Sequence, residues 1–184
     1  MKIGIIREGK IPVDKRVALS PEACKEILEK FPEVEIFAQS SKIRCYKDAE
    51  YEAAGIQLVE DVNHCDVLLG IKEVPKDDLI PQKTYLFFSH TIKEQSYNRD
   101  LLVTLLRKQI RMVDYEMITD QNGQRVIAFG RYAGLVGAYN GMMAYGSRFN
   151  HFTLKPANKC FDLAEMKQEC QQVSLPAIKI VITG

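Results

Sequence analysis

The chain has 184 residues, of which 46% are hydrophobic and 27% charged. That suits one folded domain with a proper core and an appendage, and it excludes disorder along the whole length. A formal net charge of +1, with no Lys/Arg-rich run, speaks against a nucleic-acid or anionic-membrane surface.

The chain opens Met1-Lys2-Ile3-Gly4-Ile5-Ile6-Arg7-Glu8. One positive charge and a short apolar run do not make a signal peptide, and residues 3–6 read as a buried strand. A polar loop covers residues 8–16. Ser20-Pro21-Glu22 then starts a helix: Ser as N-cap, Pro at the first helical position, Glu in the first turn. That helix sets Ala23, Ile27, Leu28 and Phe31 on one face and stops before Pro32. Residues 34–38 form the next strand, 48–54 a short helix ended by Gly55, and 56–59 a strand-like run. The buried strand 66–71 delivers Lys72, and the strand 84–89 delivers His90. A helix at 101–106 and a strand at 110–113 follow. Asn122-Gly123, between 115–119 and 125–129, predicts a two-residue hairpin.

Strands alternating with amphipathic helices indicate an α/β domain with a largely parallel sheet. Residues 132–149 predict a long helix and 158–172 a charged surface helix. Gly134, Gly137 and Gly141 with Ala138 and Ala144 put small residues on successive turns of the long helix. Helical glycine costs about 1 kcal/mol against alanine, so close packing on a backbone or ligand is expected there. No apolar stretch approaches the roughly 20 residues needed to span a bilayer. Five cysteines, widely spread and without a C-x-x-C pair, favour reduced thiols in a cytoplasmic protein over disulfides or a metal site. Residues 177–184 read as a fresh buried strand ending Thr183-Gly184. Such a strand could open a dinucleotide-binding turn at Gly184, or belong to the same sheet as the others.

In open α/β sheets, ligands bind beyond the carboxyl ends of the strands. Lys72 and His90 are both delivered to that edge, which makes them a candidate acid/base pair. Histidine exchanges protons near neutral pH, whereas lysine needs its pKa lowered first. The bland alternative is a structural histidine and a solvated lysine. His64 and His151 lack this context and are read as surface residues. Arg16 and Arg125 offer planar forks suited to carboxylates, and the two together would suit a di-acid; surface charge is the alternative for each.

The stretches Arg16-Val17-Ala18-Leu19-Ser20-Pro21, Leu69-Gly70-Ile71-Lys72-Glu73-Val74-Pro75 and Phe88-Ser89-His90-Thr91-Ile92-Lys93 carry a resemblance. So do Asp114-Tyr115-Glu116, Arg125-Val126-Ile127-Ala128-Phe129-Gly130 and Tyr132-Ala133-Gly134. The chain resembles the lysine–oxoglutarate reductase and lysine-forming saccharopine dehydrogenase group, itself related to alanine dehydrogenase and nicotinamide nucleotide transhydrogenase. The resemblance runs from about residue 7 to residue 148, and the Phe-Ser-His-Thr-Ile-Lys run is its most specific part. It implies a Rossmann-like (flavodoxin-like) largely parallel sheet with helices on both faces, the N-terminal domain type of alanine dehydrogenase and transhydrogenase.

The resemblance also implies a division into a substrate domain (1–131), a connecting helix and segment (132–177) and the first strand of a nucleotide domain (178–184). The implied reaction joins the ε-amine of lysine to 2-oxoglutarate and reduces the imine with NADH or NADPH to saccharopine. By resemblance, Lys72 and His90 are the acid/base groups. Arg16, Lys93 and Arg125 meet substrate carboxylates, and Glu73 and Glu116 tune the neighbouring charges. Small molecules are the implied partners; a homo-oligomer is compatible with this. Arg131 departs from the group's uncharged polar or aromatic residue, and residues 150–176 do not match it. A complete G-x-G-x-x-G is absent, so the chain alone is expected neither to bind NAD(H) tightly nor to turn over, as a piece of a longer enzyme. An alanine dehydrogenase-like activity and a non-catalytic amino- or keto-acid-binding module are the competing readings.

Overall fold

The computed structural model describes residues 1–182, and the chain divides into two units, Met1–Ile127 and a second from Ala128 onward. The first unit is built on six strands: β1 (Lys2–Ile5), β2 (Glu35–Gln39), β3 (Gln57–Val59), β4 (Val67–Leu69), β5 (Thr84–Phe87) and β6 (Arg111–Asp114). All pairs are parallel, in the order β3-β2-β1-β4-β5-β6. The order reverses between β1 and β4, and a sheet of this kind leaves its ligand crevice at that reversal, beyond the carboxyl ends.

Helix α1 (Pro21–Lys30) links β1 to β2, α2 (Asp48–Ala53) links β2 to β3, and α3 (Arg99–Arg107) links β5 to β6. The Ser20 hydroxyl accepts from the Ala23 N–H at 3.1 Å, as the sequence predicts for an N-cap. Gly55, at φ 80°, ends α2. Strand alternation sorts the core into two layers. Ile5, Ile36, Ala38 and Tyr51 lie with Cys24 of α1 on one face. Phe37, Leu68, Tyr85 and Phe87 lie with Leu101 and Leu105 of α3 on the other. The helices thus cover both faces of the sheet. Gly4 is glycine for a steric reason: a Cβ there would stand 2.9 Å from Leu68 Cδ2 and 3.1 Å from Cys65 Sγ.

Several local expectations are corrected. Phe31 closes α1 from outside the helix and is 50% exposed; Cys24, fully buried, fills the core-facing place instead. The arms around Asn122-Gly123 do not form a hairpin of two strands. Tyr115–Met117 is a single 3-10 turn, and the arms share one antiparallel bridge, Thr119 with Arg125. Two carboxylates account for this. Asp114 accepts from the Glu116 N–H, and Asp120 takes the N–H groups of Asn122 and Gln124, so side chains hold backbone that a ladder would otherwise use.

The second unit contains α4 (Gly130–Phe149) and α5 (Leu163–Gln171). Its small core joins Tyr139, Leu154 and Met166, and the Tyr139 hydroxyl donates to the Lys155 carbonyl. Helix α5 therefore has a buried face as well as a charged one, and it starts later than predicted, at the Asp162 cap. Among the described residues, the close packing expected of the α4 glycines is absent from Gly134, Gly137 and Gly141, where a Cβ would meet nothing within 4 Å; at Gly146 it would stand 2.5 Å from the Phe152 ring. Residues 178–182 carry no strand and have no pairing neighbour among the described residues; Ile182 is 92% exposed. Thr183 and Gly184 lie outside the described residues, and with them the expected opening of a nucleotide turn. Among the described residues no helix is long and apolar enough to cross a membrane.

Candidate active site

Because β1, β4, β5 and β6 are parallel, the segments after them emerge along one edge. After β5 come Phe88, Ser89 and His90; after β6 comes the turn holding Glu116. Glu116 is the centre of this end. Its side chain is 4% exposed, and its Oε2 accepts from His90 Nδ1 at 2.9 Å. Its Oε1 lies 3.2 Å from Lys93 Nζ and 3.3 Å from Arg125 Nη1. A carboxylate only accepts, so Nδ1 carries the proton. Lys93 Nζ, also 3.3 Å from Nδ1, therefore donates to Glu116. Burial alone would push the Glu116 carboxyl up; hydrogen bonds from His90 and Lys93 outweigh it and hold the group below its usual range.

His90 itself has φ 56°, a left-handed conformation uncommon outside glycine. Neighbouring groups fix it there. The His90 carbonyl accepts from the Lys93 N–H at 3.1 Å and from Asn98 Nδ2 at 3.2 Å. The imidazole lies roughly parallel to the Phe88 ring, with centroids 6.3 Å apart. Its Nε2 faces Glu73 Oε1 at 3.9 Å, while the other Glu73 oxygen pairs with the Lys10 ammonium.

The second end of the edge lies at the reversal point. Glu8, three residues beyond β1, reaches the turn after β4: its oxygens accept from the Ile71 N–H at 2.6 Å and the Lys72 N–H at 2.9 Å. Burial raises its pKa; the two N–H groups oppose that shift, and Asp14 adds to it. Asp14 binds the Arg16 guanidinium through Nε at 2.9 Å and Nη2. The Arg16 hydrogen bond is the main reason the Asp14 carboxyl is held below its usual range, and the Lys72 charge contributes. A cleft of about 320 Å³ runs along this point, lined by Arg7, Glu8, Gln39, Lys72, Glu73 and Asp78 among others.

The residues singled out by sequence thus fall into two groups. His90, Lys93, Arg125 and Glu116 form one cluster. Lys72 and Arg16 belong to the other, with Glu8 and Asp14. Glu73 lines the Lys72 cleft and faces His90, so it joins the two. Each cation expected to meet a substrate carboxylate holds one of the protein's own: Arg16 has Asp14, and Lys93 and Arg125 have Glu116. Sequence reasoning missed Glu8, Asp14, Ser89, Asn98 and Asp114. The available signal was position, since Glu8, Ser89 and Asp114 are polar residues at or just past the same strand ends. Gly184 lies outside the described residues.

A dinucleotide does not fit the reversal point of this unit. A pyrophosphate needs glycine-cleared backbone N–H groups at a helix N-terminus. Here the Ile71 and Lys72 N–H groups are taken by the Glu8 carboxylate, and residues 6–20 separate β1 from α1. Among the described residues no three His, Cys, Asp or Glu side chains converge to hold a metal ion.

Comparison with known proteins agrees with this architecture. The chain is 42% identical over 135 residues to mitochondrial alpha-aminoadipic semialdehyde synthase of Bos taurus, covering 73% of this chain and 14% of that protein. It is 35% identical over 143 residues to the NAD(+)-dependent, L-lysine-forming saccharopine dehydrogenase of Emericella nidulans, covering 74% and 37%. The chain therefore spans much less than half the length of these relatives. Among solved structures, the transhydrogenase from Sinorhizobium meliloti superposes with a TM-score of 0.63 at 18% identity, covering 79% of this chain and 44% of that one; this likeness is one of fold. Residues 4–136 match the model of the family described as alanine dehydrogenase/PNT, N-terminal domain, which is well over half of the chain, and the chain belongs to that family.

Proposed function

We propose that this chain is the substrate-binding part of an NAD(P)-dependent oxidoreductase of the saccharopine type, acting on CH–NH groups. Lysine and 2-oxoglutarate are the proposed reactants, and saccharopine the product. The observation that carries this reading is the cluster of Glu116 with His90, Lys93 and Arg125, set one strand from Lys72 and Glu73. Lysine and arginine give two fixed positive charges against one Glu116 carboxylate. That surplus suits a second carboxylate from outside, presented by a keto acid. The relatives' names support the substrate class.

Condensation of an amine with a ketone gives a carbinolamine, which must lose water, and each step moves a proton. His90 is suited to this because Glu116 fixes Nδ1–H and leaves Nε2 to give or take the proton. Lys72 stands beside Glu73 and is the second acid/base group of the proposal. Arg16, Lys93 and Arg125 hold substrate carboxylates, and Glu73 and Glu116 balance the surrounding charge. The hydride comes from NADH or NADPH bound elsewhere in the full-length enzyme, and no residue of this unit is given a part in holding it. In this reading residues 132–177 connect to a nucleotide unit that starts at 178–184.

The test is NADH or NADPH oxidation by a full-length enzyme carrying this domain. Oxidation requiring both lysine and 2-oxoglutarate is the expected result. Oxidation with pyruvate and ammonia instead would move the protein to an alanine dehydrogenase-like reaction and remove the di-acid role of Arg16 and Arg125.

A further inference from the structure

Ser89 takes no part in the chemistry proposed above, yet it is fully buried. Its hydroxyl makes a short hydrogen bond to Asp114 Oδ2. It also meets Thr91 Oγ1 at 2.8 Å and the Thr91 N–H at 3.1 Å. The donor accounting is closed. The carboxylate only accepts, so the Ser89 proton points to Asp114, and both Ser89 lone pairs take hydrogens from Thr91. The other Asp114 oxygen, Oδ1, accepts from the Glu116 N–H at 2.9 Å.

One carboxylate therefore holds two turns. Oδ2 grips the turn carrying His90, and Oδ1 grips the turn carrying Glu116. The β5–β6 ladder ends at the Phe87–Asp114 pair, so beyond it no strand pairing sets these turns against each other. His90 is also in the left-handed region, a conformation that persists only where its surroundings over-determine it.

We propose that Asp114, acting through Ser89, is the positioning residue that sets the His90 imidazole against Glu116. It thereby keeps the proton on Nδ1 and leaves Nε2 as the working nitrogen. This rests on the reading of His90 as an acid/base group. The tie itself is independent of which substrate the enzyme takes.

The chain has only three histidines, so ¹⁵N-edited NMR of the imidazoles in the 184-residue protein reads His90 directly, without turnover. The neutral wild-type ring is expected as a single Nδ1–H tautomer. Asp114→Asn cannot accept with both side-chain atoms, and Ser89→Ala cuts the tie while leaving the Glu116 cap in place. Both are expected to lose the single tautomer at His90 and to leave the His64 and His151 signals unchanged. Ser89→Thr, which restores a hydroxyl, is expected to recover it. A single Nδ1–H tautomer surviving in folded Ser89→Ala overturns the proposal. If circular dichroism shows that Asp114→Asn and Ser89→Ala are both unfolded, Ser89→Cys, close in shape but a weak donor to Asp114, takes their place, and an unchanged His90 there overturns it equally. A failed lysine assay changes the substrate and leaves this spectroscopic result standing, so the two failures are distinguishable.

Discussion

Glu8 and Glu116 are two enclosed carboxylates at the same edge of one sheet, and their acidities move in opposite directions. Glu8 accepts from two backbone N–H groups, and burial still raises its pKa. The Glu116 side chain is also shielded from solvent, yet His90 and Lys93 hold its pKa down. The partners are one clear difference. Backbone dipoles offset part of the cost of desolvating a charge, while whole cations reverse it. The Lys72 end of the edge therefore has a carboxylate with a tendency to take up a proton. The His90 end has one that stays ionised and can stabilise a positive imidazole.

The sharpest way to break this comparison is to remove the acid/base group at each end. Lys72→Met and His90→Gln in a full-length enzyme are each expected to cut turnover by about 10²–10⁴-fold. Steady-state nucleotide oxidation measures it. Near-normal rates in both would mean that neither end carries the proton transfers.

Next in size is Glu116→Gln. It leaves Lys93 and Arg125 without their shared charge and leaves one acceptor oxygen where His90, Lys93 and Arg125 now share two. Breaking a pair that is buried on one side is expected to cost about 2–3 kcal/mol, below the fully buried range because Lys93 and Arg125 are partly solvated. Urea unfolding of the 184-residue chain reads this. A loss under about 0.5 kcal/mol, the range of ordinary surface changes, would show that the cluster is a surface arrangement.

How much of this was visible in the sequence differs between the two ends. The six strands and the emergence of Lys72 and His90 at strand ends follow from apolar runs and their boundaries, which are local signals. Glu116 entered through resemblance alone. The Glu8 contact spans 63 and 64 residues, and the Ser89–Asp114 contact spans 25. Nothing in local periodicity encodes such pairs; they appear only once the strand order is known. The hairpin expectation failed for a related reason. Asn122-Gly123 does turn the chain, with Gly123 at φ 75°. Asp114 and Asp120, however, divert the flanking N–H groups, and a pattern of residue types does not show where two carboxylates will point. Spacing marks Gly134, Gly137 and Gly141 of α4 as sites of close packing; among the described residues a Cβ at each meets nothing within 4 Å, whereas Gly146, which spacing does not mark, packs on Phe152.

A pH series tests the opposite signs. The Glu116 pKa is lowered by folding, so its stabilisation is present above the usual 4.5 and is lost as pH falls through the folded value, below 4.5. The Glu8 pKa is raised, so its contribution is complete below 4.5 and is lost as pH rises through the folded value, above 4.5. The stability difference between wild type and Glu116→Gln should therefore shrink toward acid, with its change below 4.5. For Glu8→Gln the change should fall above 4.5, and the variant should gain on wild type as pH rises through that window. Unfolding free energies measured from about pH 3 to 7 check both. Changes of the same sign would show that the two sites do not differ as described.

The smallest expected effect is that of Glu8→Gln at neutral pH. The substitution removes a charge that burial disfavours, which is stabilising. It also replaces one of two acceptor oxygens with an NH₂ group facing a backbone N–H, which is destabilising. One hydrogen bond of this kind contributes about 1–2 kcal/mol, and relief of the desolvated charge offsets much of it. The net loss should be below about 1 kcal/mol, clearly less than for Glu116→Gln. Thermal unfolding of the two variants side by side measures the ratio. A Glu8→Gln loss as large as that of Glu116→Gln would mean that the Ile71–Lys72 turn depends on Glu8 as strongly as the His90 turn depends on its cluster. In that case the Lys72 end would be held by its carboxylate's charge, and the raised pKa of Glu8 would not describe how that end is built.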